Sequence, residues 1–309
     1  MKKIIKNTLM VAAVAFAASV SAADYPSKTI RLVVPFSPGG GTDSVGRAIA
    51  NSTKDILGEN IIVMNRTGGS GAVGMSFGAQ QRPDGYTVTV VTREIASLPQ
   101  MGLMQNDADD FKLIRMVNLD PAVVLVSKDS PFNNINDLIA EAKKQNGSLK
   151  FASTAKPNFY LMALENSQNI KLNAIPYNGS SEAIPAVLGG HTAVTMVTPG
   201  EALSQIQAGQ LKALGIMSEE RIAFLPNVPT LKEQGVDVST GTWRGLGVPK
   251  NTPDEIVETL GAAFDKAMAS PEFVEFMKKG AMTIHNLNAK EFTEFVAQDT
   301  KNLGVLINQ

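Results

Sequence analysis

The 309-residue sequence has no cysteine, one tryptophan and two histidines. The lack of cysteine excludes disulfides, thiolate metal sites and cysteine nucleophiles. It also suits an oxidising compartment such as a bacterial periplasm, where a stray thiol would be oxidised. His191 and His285 stand in no metal-ligand or triad pattern and read as structural or solvated. Ser70 and Ser180, though beside glycines, complete no G-x-S-x-G nucleophile elbow.

A strong excess of either charge is missing too, with 28 Lys and Arg against 29 Asp and Glu. The apolar run from Leu9 to Ala18 is shorter than the roughly 20 residues that span a bilayer. Lys2, Lys3 and Lys6 precede it, and Ser19-Val20-Ser21-Ala22-Ala23 follows. That order is a secretory signal peptide over residues 1–22, cleaved after about Ala22, with Ala23 as second choice. Its removal takes away three lysines and no acid, leaving 25 basic against 29 acidic residues and a net charge of −4. Such a surface argues against nucleic acid or an anionic membrane as the main partner, since no basic patch is concentrated anywhere.

Stability must come from a hydrophobic core. The chain is 44% hydrophobic and longer than the size at which one core stops growing, which points to two lobes. Short β-rich runs alternate with helical patterns, as in βαβ units. Ile30 to Val34, Ile61 to Met64 and Tyr86 to Val91 read as strands, with helices over Ser44 to Leu57 and Ala72 to Gln80 between them. Val123 to Val126 and Leu149 to Ala152 open a second set of strands, separated by a helix from about Ile135 to Lys144. Thr198, Thr252 and Asn288 each stand three residues before a Glu, the signature of a helix start.

Two glycine-rich loops carry the functional signal. Pro35-Phe36-Ser37-Pro38-Gly39-Gly40-Gly41-Thr42-Asp43 follows the first strand at the sheet edge where open α/β folds bind ligands. Its glycines allow close approach of backbone N–H groups, and the helix N-terminus beyond favours an anion. Thr42 or Asp43 is expected to cap that helix. In the second loop, Asn65 to Gly74, Gly69, Gly71 and Gly74 match G-x-G-x-x-G with Glu94 further on, so a dinucleotide site is an alternative. The motif follows the second strand of the mature chain, and export leads away from nicotinamide cofactors; a carboxylate loop fits better.

These loops are followed by Arg82-Pro83-Asp84-Gly85-Tyr86, Pro176-Tyr177-Asn178-Gly179-Ser180 with Leu188-Gly189-Gly190, Gln207-Ala208-Gly209, and Leu225-Pro226 with Val228-Pro229-Thr230. In joint order and spacing the chain resembles the tripartite tricarboxylate transporter receptor family, the Bug-type periplasmic solute-binding proteins. The resemblance implies an α/β type II periplasmic binding protein, two lobes each with a central mainly parallel sheet flanked by helices. It puts residues 23–122 and 245–309 in lobe 1 and 123–244 in an inserted lobe 2, with crossovers near Pro121 to Ser127 and near Trp243 to Val248. It further implies capture of a small organic mono-, di- or tricarboxylate by a monomer without cofactor or catalytic activity, and delivery to the membrane subunits of a tripartite transporter. A receptor signalling to a sensor is the alternative, and a nucleotide-dependent enzyme a third.

The resemblance implies a grip mainly by backbone amides and small hydroxyls of the two loops, often with ordered water, and not by an arginine clamp. Carried over by position, it falls on Phe36, Ser37, Gly39, Gly40, Gly41, Ser70, Gly71, Ala72 and Val73, with Asp43 in the first loop as cap or ligand. The opposite lobe contributes Ser153, Thr154, Ala155, Tyr177, Asn178 and Thr198. Phe36 is equally a core aromatic. Two departures from the family pattern bear on specificity: Lys156 at the rim, either solvated or facing a second carboxylate, and Thr92-Arg93-Glu94, where Glu94 meets an ammonium or hydroxyl, pairs with Arg93 at the surface, or has no role.

Overall fold

The structure, a computed structural model, describes residues 25–154, 157–177 and 179–308. The expected signal peptide therefore lies outside the described residues, as do Ala155, Lys156 and Asn178. The first lobe begins with strands β1 (Ile30–Val34), β2 (Ile61–Asn65) and β3 (Thr87–Thr92), linked by helices α1 (Gly41–Leu57) and α2 (Ala72–Ala79). The short α3 (Glu94–Ser97) leads to β4 (Phe111–Pro121), which runs directly into β5 (Val123–Ser127) of the second lobe. There α4 (Ile135–Gln145), β6 (Lys150–Ser153), α5 (Phe159–Gln168), β7 (Asn173–Pro176), α6 (Ser180–Leu188), β8 (Val194–Val197), α7 (Pro199–Gln207) and β9 (Leu211–Ile216) follow. The chain returns through β10 (Gly241–Pro249) and finishes with α8 (Asp254–Met268), α9 (Pro271–Lys279), β11 (Ile284–Leu287) and α10 (Ala289–Ile307).

The strand orders are β11-β4-β10-β3-β1-β2 in the first lobe and β7-β6-β8-β5-β9 in the second. Each sheet is mixed. The βαβ parts, β2-β1-β3 and β7-β6-β8, are parallel as expected. Strands that enter or return from the other lobe pair antiparallel: β10 with β3 and β4, and β5 with β8 and β9. Direct continuation of a strand from one sheet into the next, without a crossover helix, forces this reversal.

Helix α1 shows why the local pattern folds as it does. Val45, Ile49 and Thr53 recur at four-residue spacing and are buried on one face. Gly58 ends the helix in the left-handed region, where a missing Cβ removes the penalty. Ile49 and Val45 join Leu32, Leu260 and Phe264 in one core of the first lobe, each such side chain contributing about 1.5–3 kcal/mol on burial. Met75, Trp243, Phe292 and Val296 build a second core of that lobe. The inserted lobe likewise has two, one around Leu138, Phe151 and Leu164 and one around Ala183, Val187 and Leu211.

The lobes are stitched where the crossing segments meet. Ala122 N–H donates to Thr240 O at 3.1 Å, Met217 N–H to Ala122 O at 2.8 Å, and Thr240 N–H to Met217 O at 2.9 Å. Arg93, at the end of β3, donates to both Asp299 oxygens, at 3.2 and 3.1 Å, and to Thr240 Oγ1 and Gly241 O at 2.7 and 3.0 Å. Trp243 Nε1 donates to the same Asp299 at 2.8 Å, and its ring packs edge-on to Phe292 and Phe295. A surface pair between Arg93 and Glu94 is thus replaced by a buried pair with α10, because the strand end faces that helix. Trp243 to Val248, the expected second crossover, lies inside β10, which joins the six-stranded sheet from Gly241 onward.

Of the three expected helix starts, Asn288 forms its reciprocal cap with Glu291. Glu201 reaches back to the Thr198 N–H. Thr252 does not cap α8, whose N-cap is Pro253; its hydroxyl donates instead to Pro249 O at 2.7 Å.

Candidate functional site

The first glycine loop leads from β1 into α1, whose N-cap is Gly40 with no side-chain cap. Asp43 is therefore no cap. It stands inside the first turn and reaches back, accepting from Gly39 N–H at 2.9 Å, from Arg47 Nε at 2.9 Å and from Asn65 Nδ2 at 2.8 Å. Burial by itself would raise the Asp43 carboxyl, but the hydrogen bonds from Arg47, Gly39 and Asn65 outweigh it and hold the group below its ordinary value. Asn65 also donates to Phe36 O at 2.9 Å, so β2 braces the loop on its far side. Asp43 is 2% exposed and satisfied within the protein, a clamp on the loop. Leaving the helix N-terminus without a side-chain cap keeps its donors available to a guest.

In the second loop, Gly68, Gly69, Ser70 and Gly71 all have positive φ, at 130°, 55°, 53° and 94°. Ser70 is a non-glycine residue in the left-handed region, a conformation with a local cost that the glycines around it make possible. The Phe36 ring lies against Gly71, so the two loops touch through it, which gives Phe36 a half-buried packing role. Gly74 is a packing glycine: a Cβ there would meet Pro35 Cα at 2.6 Å. Ala72 is buried and Val73 is 52% exposed. Thr92 donates to Glu94 Oε2 at 2.5 Å, which ties the expected recognition carboxylate to its own strand end.

A cavity of about 450 Å³ lies between the lobes. Of the residues expected from sequence to hold a ligand, Gly39, Gly41, Thr154 and Thr198 line it. Phe36, Ser37, Gly40, Asp43, Ser70, Gly71, Ala72, Val73, Thr92, Glu94, Ser153 and Tyr177 do not border it. Tyr177 packs on the core of the inserted lobe, and Ser153 is buried at the end of β6. The cavity also brings in residues that sequence reasoning missed: Ser44, Asp120, Thr242 and Arg244 from the first lobe, Tyr160, Ser180 and Glu201 from the second. Glu201 had been visible only as a capping residue. Arg244 had a usable signal, since a charge within the otherwise apolar run around Trp243 asks for a buried partner.

Asp120 is that partner. Arg244 Nη1 donates to Asp120 Oδ2 at 3.0 Å, and Asn118 and the Thr283 N–H supply Asp120 with two further bonds. Burial pushes the Asp120 carboxyl above its ordinary value, with Arg244 acting against that rise. Among the described residues there is no cluster suited to a metal ion, and no helix long and apolar enough to cross a membrane.

The profile of the tripartite tricarboxylate transporter family receptor matches residues 45–309. A protein encoded in the gbd 5′ region of Cupriavidus necator is 32% identical over 96% of this chain and 91% of its own. The BugT protein of Bordetella pertussis is 31% identical over 89% of this chain and 87% of its own. Among solved structures, a TctC solute-binding protein from Polaromonas superposes with a TM-score of 0.82 at 36% identity, covering 92% of this chain and 99% of that one. Two Rhodopseudomonas palustris proteins, solved with adipate and with malate, share the fold at TM-scores of 0.81 and 0.77 and identities of 24% and 23%; each match covers 92% of this chain, and 98% and 100% of theirs. The Polaromonas relative is a solute-binding protein, and BugD, whose solved structure superposes with a TM-score of 0.78 at 28% identity, is a periplasmic binding protein. The present chain belongs to the tripartite tricarboxylate transporter receptor family.

Proposed function

We propose that this receptor captures a small organic carboxylate between its lobes in the periplasm and delivers it to the membrane subunits of a tripartite transporter. The observation that carries the reading is the uncapped N-terminus of α1, held open by the Asp43 clamp and facing the interlobe cavity through Gly39 and Gly41. Unsatisfied amide donors and the helix dipole favour an anion there without any general base or metal. The cavity falls within the size range of small-ligand sites. The ligand class agrees with the adipate and malate found in the two fold relatives.

Closure on the ligand is a hinge motion about the segments at Ala122 and Thr240, so affinity arises from contacts that only the closed arrangement makes. The division into lobes accordingly runs at those two residues, and the mature receptor begins after the signal peptide. Thermal melts of the mature protein against carboxylates, amino acids, sugars and nucleotides test the proposal. A carboxylate at 100 times its dissociation constant stabilises by about 2.7 kcal/mol. Stabilisation by nucleotides with none by any carboxylate refutes it.

A further inference from the structure

The interlobe cavity has charged side chains on both walls, the Arg244–Asp120 pair on the first lobe and Glu201 on the second. On the first lobe, Arg244 projects from β10 to the N-terminus of α1 with its side chain 10% exposed. Its Nε donates to Thr42 Oγ1 at 3.0 Å, and its Nη1 is engaged by Asp120 at 3.0 Å and Asn118 at 3.4 Å. Nη2 has no hydrogen-bond partner among the described residues. That nitrogen lies 3.0 Å from where a Cβ on Gly41 would stand, so the third glycine of the loop makes room for a guanidinium beside the helix amides.

On the second lobe, Glu201 is exposed to the cavity at the start of α7. Its Oε2 accepts from the Thr198 N–H and hydroxyl at 2.8 and 2.9 Å, and its Oε1 from Ser180 Oγ at 2.8 Å. A carboxylate has about four acceptor sites, so this one keeps capacity for a further donor.

We propose that Arg244 Nη2 contacts the ligand carboxylate directly, and that Glu201 accepts from a hydroxyl or ammonium on the same ligand as the lobes close. The inference rests on the carboxylate reading above and narrows it to organic acids that carry a hydrogen-bond donor. A guanidinium at the positive end of a helix is unfavourable alone. Asp120 offsets it along one edge, and a ligand anion gripped by both Nη2 and the α1 amides completes the compensation. Arg suits this task because its planar fork can hold Asp120 and the ligand at once. Glu201 repels a second carboxylate on its wall and favours a donor in its place, which divides donor-bearing acids from bare ones.

Titration calorimetry with succinate, malate and aspartate as probes tests this on wild type, Glu201→Gln, Arg244→Lys and the double variant Asp120→Asn/Arg244→Gln. The wild type is expected to bind malate or aspartate about tenfold or more tighter than succinate, the equivalent of one charge-assisted hydrogen bond. Which of the two binds tighter separates hydroxyl from ammonium. Glu201→Gln reduces that preference to about threefold or less, because the charged acceptor for the hydroxyl or ammonium is lost and succinate no longer meets a repelling carboxylate. The double variant removes the buried pair together and weakens every bound acid by about tenfold or more. Arg244→Lys keeps the charge without the fork, weakens binding in the same direction, and serves if circular dichroism shows the double variant unfolded.

Equal wild-type affinity for all three acids, or variants within about twofold of wild type, overturns this inference alone. So does binding of none of the three by a protein whose ligand is another, donor-free carboxylate. Failure to bind any carboxylate overturns the proposed function as well.

Discussion

Asp43 acts on a loop it does not cap. Its three protein donors hold Gly39 and β2 together, and its carboxyl is held below the ordinary 3.8. A depressed folded value means its stabilisation is present above pH 3.8 and is lost as the pH falls through the folded value. Asp265, held low by Arg115, acts in the same sense. Asp120 is raised by burial and acts oppositely: its stabilisation is present below pH 3.8 and is lost as the pH rises through its folded value. Asp43→Ala leaves the Gly39 N–H without its acceptor and takes one of two acceptors from Asn65, and is expected to cost about 1–3 kcal/mol in urea unfolding. Asp43→Asn should retain much of the stability at neutral pH and flatten the acid limb of the stability profile. An unchanged acid limb would remove Asp43 from the pH response.

At the scale of elements, the start of α7 meets the end of α9. A Cβ on Gly200 would stand 2.3 Å from Gly280 O, and both are cavity residues on opposite lobes. Because the obstacle is backbone, a side chain at this position must hold the two helices apart. Gly200→Val is expected to weaken ligand binding about tenfold or more while changing thermal stability little in the absence of ligand. Small-angle scattering should show that the variant fails to contract on adding a saturating carboxylate; contraction equal to wild type refutes this contact as a closure surface.

The elements themselves were largely legible. Strand β1 falls where apolar β-branched residues cluster between turn signals, and α1 where buried positions repeat at helical spacing. Thr252 misled because its hydroxyl competes for a backbone carbonyl one turn earlier, a choice that the local sequence leaves open. The antiparallel strands were illegible for a different reason, since direction follows from which lobe a strand comes from and leaves no mark in its composition.

The whole molecule is joined through Arg93, Asp299 and Trp243, which tie β3, the returning crossover and α10. The Arg93 and Asp299 side chains are 10% and 12% exposed, so removing one partner leaves a nearly buried charge. Arg93→Ala is expected to destabilise by about 3 kcal/mol and to alter ligand-induced closure, read as a changed thermal shift on adding ligand. A double-mutant cycle with Asp299→Ala separates the pair from the packing of the Arg stem; additive effects would show that the two do not act together.

Composition, period and spacing by themselves determined that this is an α/β chain of two lobes with two glycine-rich loops and no cysteine. These are properties of single residues and of neighbours along the chain. Only the tertiary structure decided that Asp43 clamps instead of capping, that Arg93 turns to α10, and that Arg244 and Glu201 line one cavity from opposite lobes. Thr42 and Arg244 are 202 positions apart, as are no residues within a helix turn or a hairpin. Their contact depends on a strand that leaves one lobe and another that returns to it, and no local pattern encodes that meeting.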